Sequence, residues 1–439
     1  MSQEVSAGPL SGWALSALLL AMLSITVGYG IALPILPFLV ERLAGPGDAA
    51  ALSRHTGLLT ATYILAIFLF APLWGRLSDR HGRRPVMLVG LIGFAATVGI
   101  FALVERLPLI YLGRFLDGAF AAAITPAAYA LIGDHAPSRE WRAHRFALIN
   151  IAGTVGFFVG PLIGGLVLRG STLFTGIAEG AFSAPFLATS VLALIAALAV
   201  WSLTEEAPQR QTRLAAAEKP FERAAILRLW GIAFVTAVAV GAFEVGLSLR
   251  GKQVLGLDAY QIGIMFTECS LVMFLVQVLV FSPLIKPELT RQFITPALAL
   301  LAIGLVLVPL TSSYISITAT VALVAATAGL LSPIVTYWVS LGAGKTQGAD
   351  LGQVTAAASL GQTVGSAAGG LLFNVAIVPN AGFTAAALVV AAGFAGSLGV
   401  SRLLARAGEP LALMPAPARR DLAAEAVLEA RRHPHERGS

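Results

Sequence analysis

Ionisable residues inside apolar stretches are the first candidates for chemistry in this sequence. Glu244 lies in the run Gly241–Gly246, Glu268 lies in the next apolar run, and Arg114 and Asp117 share a third. A charge is costly inside hydrocarbon, so such residues are functional candidates by default. A lone carboxylate in an apolar, partly hydrated cavity favours its protonated form and can load and release a proton as its access to water changes.

Arg114, Asp117 and Glu268 could instead have purely structural roles. Arg114 and Asp117 are three residues apart and therefore share one helix face, where an internal ion pair would hold both charges or brace the helix instead of exchanging a proton. Glu268 would serve equally well as a protonated side chain hydrogen-bonded to a neighbouring helix. At about 1.5 Å per residue, Glu244 and Glu268 lie at similar depth in straight helices.

The rest of the chain is suited to a membrane. Of 439 residues, 57% are hydrophobic and 12% charged, and the mean hydropathy is +0.83, which predicts an all-α polytopic membrane protein. The net charge of +6 is spread as a topology signal rather than gathered in a nucleic-acid-binding patch. The single cysteine, Cys269, excludes disulfides within the chain and cysteine-based metal sites.

Apolar runs of about twenty residues predict twelve transmembrane helices. The spans lie near 13–40, 55–75, 85–105, 108–133, 143–168, 182–203, 229–250, 259–285, 291–310, 315–340, 350–377 and 380–404. Lys and Arg concentrate in the even-numbered connections and in the tail, so the positive-inside rule places both termini in the cytoplasm. All six tryptophans fall at the cytoplasmic ends of these spans, where an indole prefers the interface.

The longest polar connection divides the chain into two like halves. We predict an N-terminal six-helix bundle over 1–203, a central cytoplasmic loop over 204–228, a C-terminal six-helix bundle over 229–404 and a cytoplasmic tail over 405–439. A glycine pattern in the fifth span, from Gly156 to Gly165, is repeated in the eleventh from Gly361 to Gly370. A tandem repeat in one orientation predicts a pseudo-twofold axis, with a substrate site near the midplane between the halves.

A charged stretch of eleven residues, Gly75–Pro85, separates the second and third spans. We expect a tight loop at the membrane surface, with Gly75 allowing two helices to approach closely and Gly82 and Pro85 turning the chain. The stretch resembles the loop between helices 2 and 3 of the major facilitator superfamily, where an Asp grips a helix of the other half in the outward-facing state. The residues that match this latch are Gly75, Leu77, Asp79, Arg80, Gly82, Arg83 and Arg84. A generic positively charged loop would explain the arginines but not Gly75 and Asp79.

Two further motifs narrow the resemblance to the drug:H+ antiporters with twelve helices. The segment Gly113–Ala122 resembles the proton-coupling motif of helix 4, except that Asp117 replaces the usual Gln. The antiporter motif of helix 5 is matched by Gly156, Gly160, Pro161, Gly164 and Gly165, although Ala147 replaces an earlier glycine. That motif is found in superfamily members that export by antiport. Glycine packing with no bearing on transport direction is the alternative.

The resemblance also ranks the site residues. Glu244 is similar to an acidic position in helix 7 of multidrug antiporters, so we rank it first for proton coupling, with Glu268, Arg114 and Asp117 as further candidates. By the superfamily rule that helices 1, 4, 7 and 10 line the path, the substrate cavity is expected to include Tyr29, Phe120, Tyr129, Phe243 and Tyr337. Tetracycline is a poor substrate prediction because acids typical of tetracycline exporters are missing from helices 1 and 9.

These features predict a secondary transporter of the bacterial inner membrane that exports small amphipathic molecules, drug-like or metabolic, by proton antiport. We expect no enzyme site, no metal and no cofactor beyond the proton gradient. The partners expected are the lipid bilayer, a small-molecule substrate and protons, with no nucleic acid and a monomeric state. The alternatives are a dedicated exporter of one metabolite such as a siderophore, a proton-coupled importer, and a membrane sensor that transports nothing.

Overall fold

A computed structural model describes most of the chain. The described residues are 10–45, 48–137, 139–175, 183–204, 223–280, 285, 287–311, 313–342, 347–375 and 380–408. Most of the expected central loop and the tail beyond residue 408 lie outside them. The eighth helix begins at Arg223, so the end of the stretch expected as loop is helical.

Helices make up the described fold. They are α1 Gly12–Ala44, α2 Ala49–His81, α3 Arg83–Phe101, α4 Leu107–Ala121, α5 Ile124–Asp134, α6 Arg139–Thr175, α7 Ser183–Leu203, α8 Arg223–Gln253, α9 Ala259–Val280, α10 Ile294–Leu307, α11 Tyr314–Gly342, α12 Gln347–Leu371, α13 Ala381–Ser397 and α14 Val400–Gly408. Short 3-10 turns, Pro287–Phe293 and Val308–Leu310, flank α10.

The predicted membrane fold is confirmed. Ten segments of the described chain are long and apolar enough to span a bilayer, and they match the first ten predicted spans. The fourth of these, Leu107–Asp134, contains both α4 and α5. Pro126 explains the break between them, because it lacks the amide N–H that would bond the carbonyl of Ala122. The helices α12 and α13 take the two remaining places.

Local sequence sets where several helices begin. At α9, Asp258 and Gln261 form a reciprocal cap: the Asp258 carboxylate accepts from the Gln261 amide at 2.7 Å, and the Gln261 side chain accepts from the Asp258 amide at 3.0 Å. Ser11 caps α1 and Asp48 caps α2 through hydrogen bonds of 3.1 and 2.8 Å to backbone amides. These caps fix the helix starts on which the transmembrane register depends.

The eleven-residue stretch that we expected to be a loop is almost entirely helical. The helix α2 continues to His81 and α3 begins at Arg83, so Gly82 alone makes the turn, with φ of 92° and ψ of 155°. Only glycine adopts this conformation readily. The expectation of a close helix approach at Gly75 is wrong, because a methyl group there would lie 4.0 Å from Pro126, an ordinary contact.

The repeated glycine motifs pack equivalent helices in the two halves. In α6, methyl groups on Gly156 and Gly160 would press on backbone carbonyls of α1, those of Leu23 and Val27. In α12, methyl groups on Gly361 and Gly365 would press in the same way on the carbonyls of Phe234 and Val238 in α8. Small residues let backbones approach this closely in membranes. The internal repeat in the sequence is therefore also a repeat of packing.

We refer to the two ends of the molecule as the Asp79 face and the Glu41 face. At the Glu41 face, the halves meet through hydrogen bonds from Asn374, in the turn after α12, to the Ala49 carbonyl and the Ser53 hydroxyl of α2, at 2.5 and 3.1 Å. Glu41 of α1 pairs with Lys252 of α8 at 2.5 Å. The interior of α6 also packs on the start of α9, since a methyl on Gly263 would lie 2.7 Å from the carbonyl oxygen of Pro161. The Glu41 face is closed.

Prolines inside helices leave backbone carbonyls without a helical partner, and neighbouring helices supply donors. Pro37 cannot bond the carbonyl of Leu33, which accepts instead from the Ser248 hydroxyl at 2.7 Å. Pro333 leaves the carbonyl of Gly329 in the same situation, and the amide of Gln277 donates to it at 3.3 Å. Buried backbone groups in a bilayer must be satisfied inside the protein, so these contacts follow from the proline positions.

Candidate transport site

Glu244 is the centre of the candidate site. Its side chain is 5% exposed, and its Oε2 accepts hydrogen bonds from the Tyr29 hydroxyl at 2.6 Å and from the Gln362 amide at 3.1 Å. The Gln362 amide also lies 3.1 Å from the Tyr29 hydroxyl oxygen, so the three groups form a triangle. Tyr29 belongs to α1 and the other two belong to α8 and α12. The carboxyl therefore joins the two halves near the middle of the molecule.

A small cavity of about 30 Å³ adjoins this carboxyl. It is mostly apolar and includes Phe243 and Cys269. The described lining residues are Phe157, Val240, Phe243, Glu244, Phe266, Cys269, Met273, Val324, Ala325 and Ala328. This volume has room for about one water molecule. A drug-sized ligand can enter only after the surrounding helices move apart.

Aromatic rings connect Glu244 with the charged residues of the fourth span. The Tyr29 ring is stacked on Tyr63 at 5.3 Å and on Phe157 at 5.9 Å between centroids. The guanidinium of Arg114 lies 4.4 Å from the centroid of Tyr63, a cation–π distance. The order across the site is thus Arg114, Tyr63, Tyr29 and Glu244, with a cation at one end and a carboxyl at the other.

Arg114 and Asp117 are both 2% exposed, yet no ion pair joins them in the described structure. The Nε and Nη2 of Arg114 and the Oδ1 of Asp117 are buried without a hydrogen-bond partner among the described residues. The ion pair between Arg114 and Asp117, which the sequence suggested as an alternative, is therefore not formed in this conformation. Arg114 uses the face of Tyr63 instead, which leaves two opposite charges buried close together on one helix face.

Glu268 occupies a different environment. Glu244 is nine residues from the end of α8 and Glu268 is nine from the start of α9, both at the Glu41 face, so their depths agree with expectation. Glu268, however, lies beside Tyr314 of α11 and is absent from the described lining of the cavity next to Glu244. Its Oε2 is buried and has no hydrogen-bond partner in the part of the chain that the structure describes.

Three aromatic residues expected in the substrate cavity do not line the small cavity beside Glu244. Phe120 packs against Gly93, and its ring is 6.4 Å from that of Trp74. The Tyr129 hydroxyl donates to Asn150 at 2.8 Å. Tyr337 contacts the ring of Trp338 edge to face at 5.7 Å. None of the three is among the described lining of the cavity beside Glu244, because helix number alone does not indicate which face of a helix meets the path. Their place in the substrate cavity stays a prediction.

Trp338 also departs from expectation. It is 2% exposed, and its indole donates to the Thr290 hydroxyl at 3.0 Å. An interface position was predicted for all six tryptophans, and Trp13 and Trp201 are indeed well exposed. Trp338 is buried because Thr290 satisfies its N–H within the bundle.

The predicted latch residues form a polar cluster at the Asp79 face. Arg83 pairs with Asp79, donates to Asp134 at 3.0 Å and donates to the Ser78 hydroxyl at 2.9 Å. Arg84 donates to the carbonyl of Trp201, and Arg80 is exposed. The sequence did not identify which helix of the other half the latch would grip, and the first side chains of α12 lie outside the described residues. The described contacts of the cluster are within the N-terminal half.

The antiporter motif of the fifth span, which lies in α6, takes part in two interfaces. Gly156, Gly160 and Gly164 face α1, where methyl groups would meet Leu23, Val27 and Ile31. Gly165 faces the C-terminal half, because a methyl there would lie 2.9 Å from the ring of Tyr260. The motif thus connects packing within one half to closure against the other.

Sequence reasoning missed several residues of the site. Gln362 stands between two motif glycines, and an amide in an apolar span is a signal that could have identified it. Tyr63 and Phe157 carry no such signal, since their roles depend on which helices meet. Among the described residues, no group of three or more His, Cys, Asp or Glu side chains is placed to hold a metal ion.

Comparison with known proteins settles the family. The model of the Major Facilitator Superfamily matches residues 18–370, most of the chain. The chain belongs to the Major Facilitator Superfamily. Its sequence relatives include Multidrug resistance protein 2 of Bacillus subtilis, 27% identical over 80% of this chain and 86% of that protein. Quinolone resistance protein NorA of Staphylococcus aureus is 26% identical over 80% and 88%.

Shorter and more distant similarities agree with this membership. The class C tetracycline resistance protein of Escherichia coli is 38% identical over 38% of each chain. A bacterial homologue of the human lysosomal transporter Spinster, solved in an inward-facing, unoccupied conformation, has a TM-score of 0.68 at 17% identity and covers 90% of this chain and 97% of that one. The human organic anion transporter MFSD10 has a TM-score of 0.65 at 20% identity, covering 89% and 99%.

These structural similarities support the superfamily fold. This superfamily member is a multi-pass membrane transporter and not an enzyme, as the sequence predicted.

Proposed function

We propose that this protein exports small amphipathic molecules by proton antiport through alternating access. The observation that carries the proposal is the position of Glu244, a buried carboxyl that borders a cavity and bonds across the two halves. A carboxyl in this position exchanges protons only when its surroundings open, so its proton state is linked to conformation. The names of the multidrug and quinolone resistance relatives support a drug-like substrate.

The cavity favours an amphipathic cation as the substrate. Phe157, Phe243 and Phe266 supply aromatic surface around one carboxyl. Aromatic faces attract cations, and the carboxyl would replace its proton with the positive charge of the substrate. Competition between proton and substrate for Glu244 is the chemical basis of exchange.

We place the other candidates in supporting roles. Arg114 and Asp117 act on proton coupling through the Tyr63–Tyr29 stack, and Glu268 is a second proton-accepting group. The cluster of Asp79, Arg80, Arg83 and Arg84 is the latch of the opposite conformation. The helix-5 glycines, from Gly156 to Gly165, support the movement of α6 against its neighbours.

We propose further that the protein acts as a monomer in the bacterial inner membrane, with both termini in the cytoplasm. The distribution of Lys and Arg supports this orientation. The Asp79 face is then cytoplasmic and the Glu41 face periplasmic. Because the Glu41 face is closed, the conformation corresponds to the inward-facing half of the cycle. The energy source is the proton gradient.

Everted membrane vesicles test the proposal directly. A proton gradient, acidic inside, should drive accumulation of a fluorescent amphipathic cation such as ethidium, and a protonophore should abolish it. Glu244→Gln should remove proton-driven accumulation, because the amide cannot exchange a proton. Glu105→Gln is the matched control, since Glu105 is an exposed carboxylate between α3 and α4. Accumulation that ignores the gradient in the unmodified protein would exclude antiport.

A further inference from the structure

The contact between α1 and α8 contains a row of polar interactions across the two halves. Three side chains of α8, spaced four residues apart and therefore on one face, each reach α1. They pair Glu244 with Tyr29 at 2.6 Å, Ser248 with the Leu33 carbonyl at 2.7 Å, and Lys252 with Glu41 at 2.5 Å. We name this row the α1–α8 polar stripe. It runs from the midplane to the Glu41 face, so opening that face must break it.

The three contacts respond differently to pH. The Ser248 contact involves a hydroxyl and a backbone carbonyl, neither of which titrates near neutrality. The Glu41 contact lies at the surface, where the Glu41 side chain is 47% exposed. The Glu244 contact is buried, and its strength depends on the charge of the carboxyl, because a hydrogen bond to an ionised acceptor is roughly twice as strong as a neutral one.

Few other groups act on Glu244 in the described structure. From α1 it faces Tyr29, from α12 Gln362, and from α9 Cys269. The contributions of α6 and α11 to its cavity are apolar. Beyond Tyr29 lie Tyr63 of α2 and then Arg114 and Asp117 of α4, which do not contact Glu244. Tyr29 is thus the titratable group in direct contact with the carboxyl, and it belongs to the opposite half.

We propose that Tyr29 is a positioning residue that lets the Glu41 face stay closed while Glu244 is ionised. Closing this face removes water from the carboxyl, and an ionised carboxylate loses more from that change than a neutral one. The Tyr29 hydroxyl, which belongs to the other half, offsets part of this loss by donating a hydrogen bond to the carboxylate. The hydrogen bond of Ser248 stabilises the closed face whatever the charge of Glu244. The inference deepens the proposed antiport, in which the proton state of Glu244 determines conformation.

A distance measurement between the two halves tests this proposal. In a Cys269→Ala background, spin labels at Ala50→Cys and Val254→Cys would report the width of the Glu41 face, since both positions are exposed there and belong to opposite halves. The ratio of open to closed populations would be measured by double electron–electron resonance in lipid nanodiscs from acidic to alkaline pH. The same variants would be assayed for gradient-driven ethidium transport.

The expected outcomes differ between variants. In the parent, the open-to-closed ratio rises with pH. Tyr29→Phe should raise that ratio by roughly tenfold at alkaline pH, the effect of losing a hydrogen bond to a charged group, and much less at acidic pH. Ser248→Ala should raise the open-to-closed ratio by the same factor at every pH. Glu244→Gln should make it independent of pH.

If Tyr29→Phe changes the ratio by the same factor at every pH, or does not change it, Tyr29 has no role in coupling and the proposal is wrong. Because populations are measured without transport, this failure is separate from failure of the proposed function. A normal pH response of the distances with no gradient-driven transport would overturn antiport and leave the role of Tyr29 intact.

Discussion

Gly57 of α2 and Gly370 of α12 lie back to back at the interface of the two halves: a methyl on Gly57 would lie 2.6 Å from the Cα of Gly370. Closure of the Glu41 face therefore requires glycine at both positions. We expect Gly370→Val to hold this face open, because the backbones cannot approach past a branched side chain. Spin-label distances across the face should lengthen and transport should fall about tenfold or more, because overpacking costs about 1–3 kcal/mol and each 1.4 kcal/mol lowers the closed population about tenfold.

Gly352→Val is the control for this change, since Gly352 is on the same helix and a methyl group there would have no neighbouring atom within 4 Å among the described residues. It should leave both distances and transport close to those of the parent. Equal behaviour of the two valine variants would show that helix propensity, and not the approach of the halves, causes any effect.

Arg83 joins α2, α3 and α5 at the Asp79 face through Asp79, Ser78 and Asp134. Arg83→Ala should lower the free energy of unfolding by about 1–3 kcal/mol, the cost of leaving charged partners without their hydrogen bonds. Thermal unfolding in detergent would measure this loss of stability. Arg80→Ala, at an exposed position three residues earlier, should change the midpoint little. Similar losses in both variants would contradict this account.

Arg114 and Asp117 should behave as a buried pair in spite of their separation. Asp117→Leu alone leaves a guanidinium buried without an opposite charge and should destabilise the protein by about 3 kcal/mol, whereas Arg114→Met with Asp117→Leu should recover most of that loss. Unfolding of the two single variants and the double variant gives the coupling energy. Strictly additive losses would show that the charges do not interact.

The ion pair of Glu41 and Lys252 should make a small, salt-sensitive contribution to closure. Lys252 also lies 3.9 Å from the centroid of Phe38, so its position does not depend on Glu41 alone. We expect Glu41→Gln to shift the open-to-closed equilibrium by about 1 kcal/mol or less, with the shift shrinking at high ionic strength. The exchanged pair, Glu41→Lys with Lys252→Glu, should restore closure. A salt-independent effect would exclude an electrostatic cause.

The sequence predicted those features that depend on a single helix. Apolar length specified the spans, and glycine spacing showed the repeat, because each is a property of one segment. Glu244 was identified because a carboxylate in an apolar run is costly wherever its helix packs. The role proposed for Glu244 and the other site residues remains a prediction.

Features that depend on which helix faces meet could not be predicted. Helix number assigned Phe120 and Tyr129 to the substrate cavity but could not indicate their neighbours, which are Gly93 for Phe120 and Asn150 for Tyr129. Glu268 has the expected depth and a different neighbourhood. The contact of Ser248 with Leu33 is an intermediate case: the orphaned carbonyl follows from Pro37 in the sequence, but its donor is found only in the fold.

The small volume beside Glu244 has a consequence for the membrane itself. With room for about one water molecule, the described cavity cannot by itself hold a continuous file of water along which protons could leak past Glu244. In the proposed antiport, each proton would wait for the bundles to move, and motions of that size take microseconds to milliseconds. Under that proposal the turnover of the carrier is limited by its mechanics, and its idle state does not short-circuit the proton gradient that we propose as its energy source.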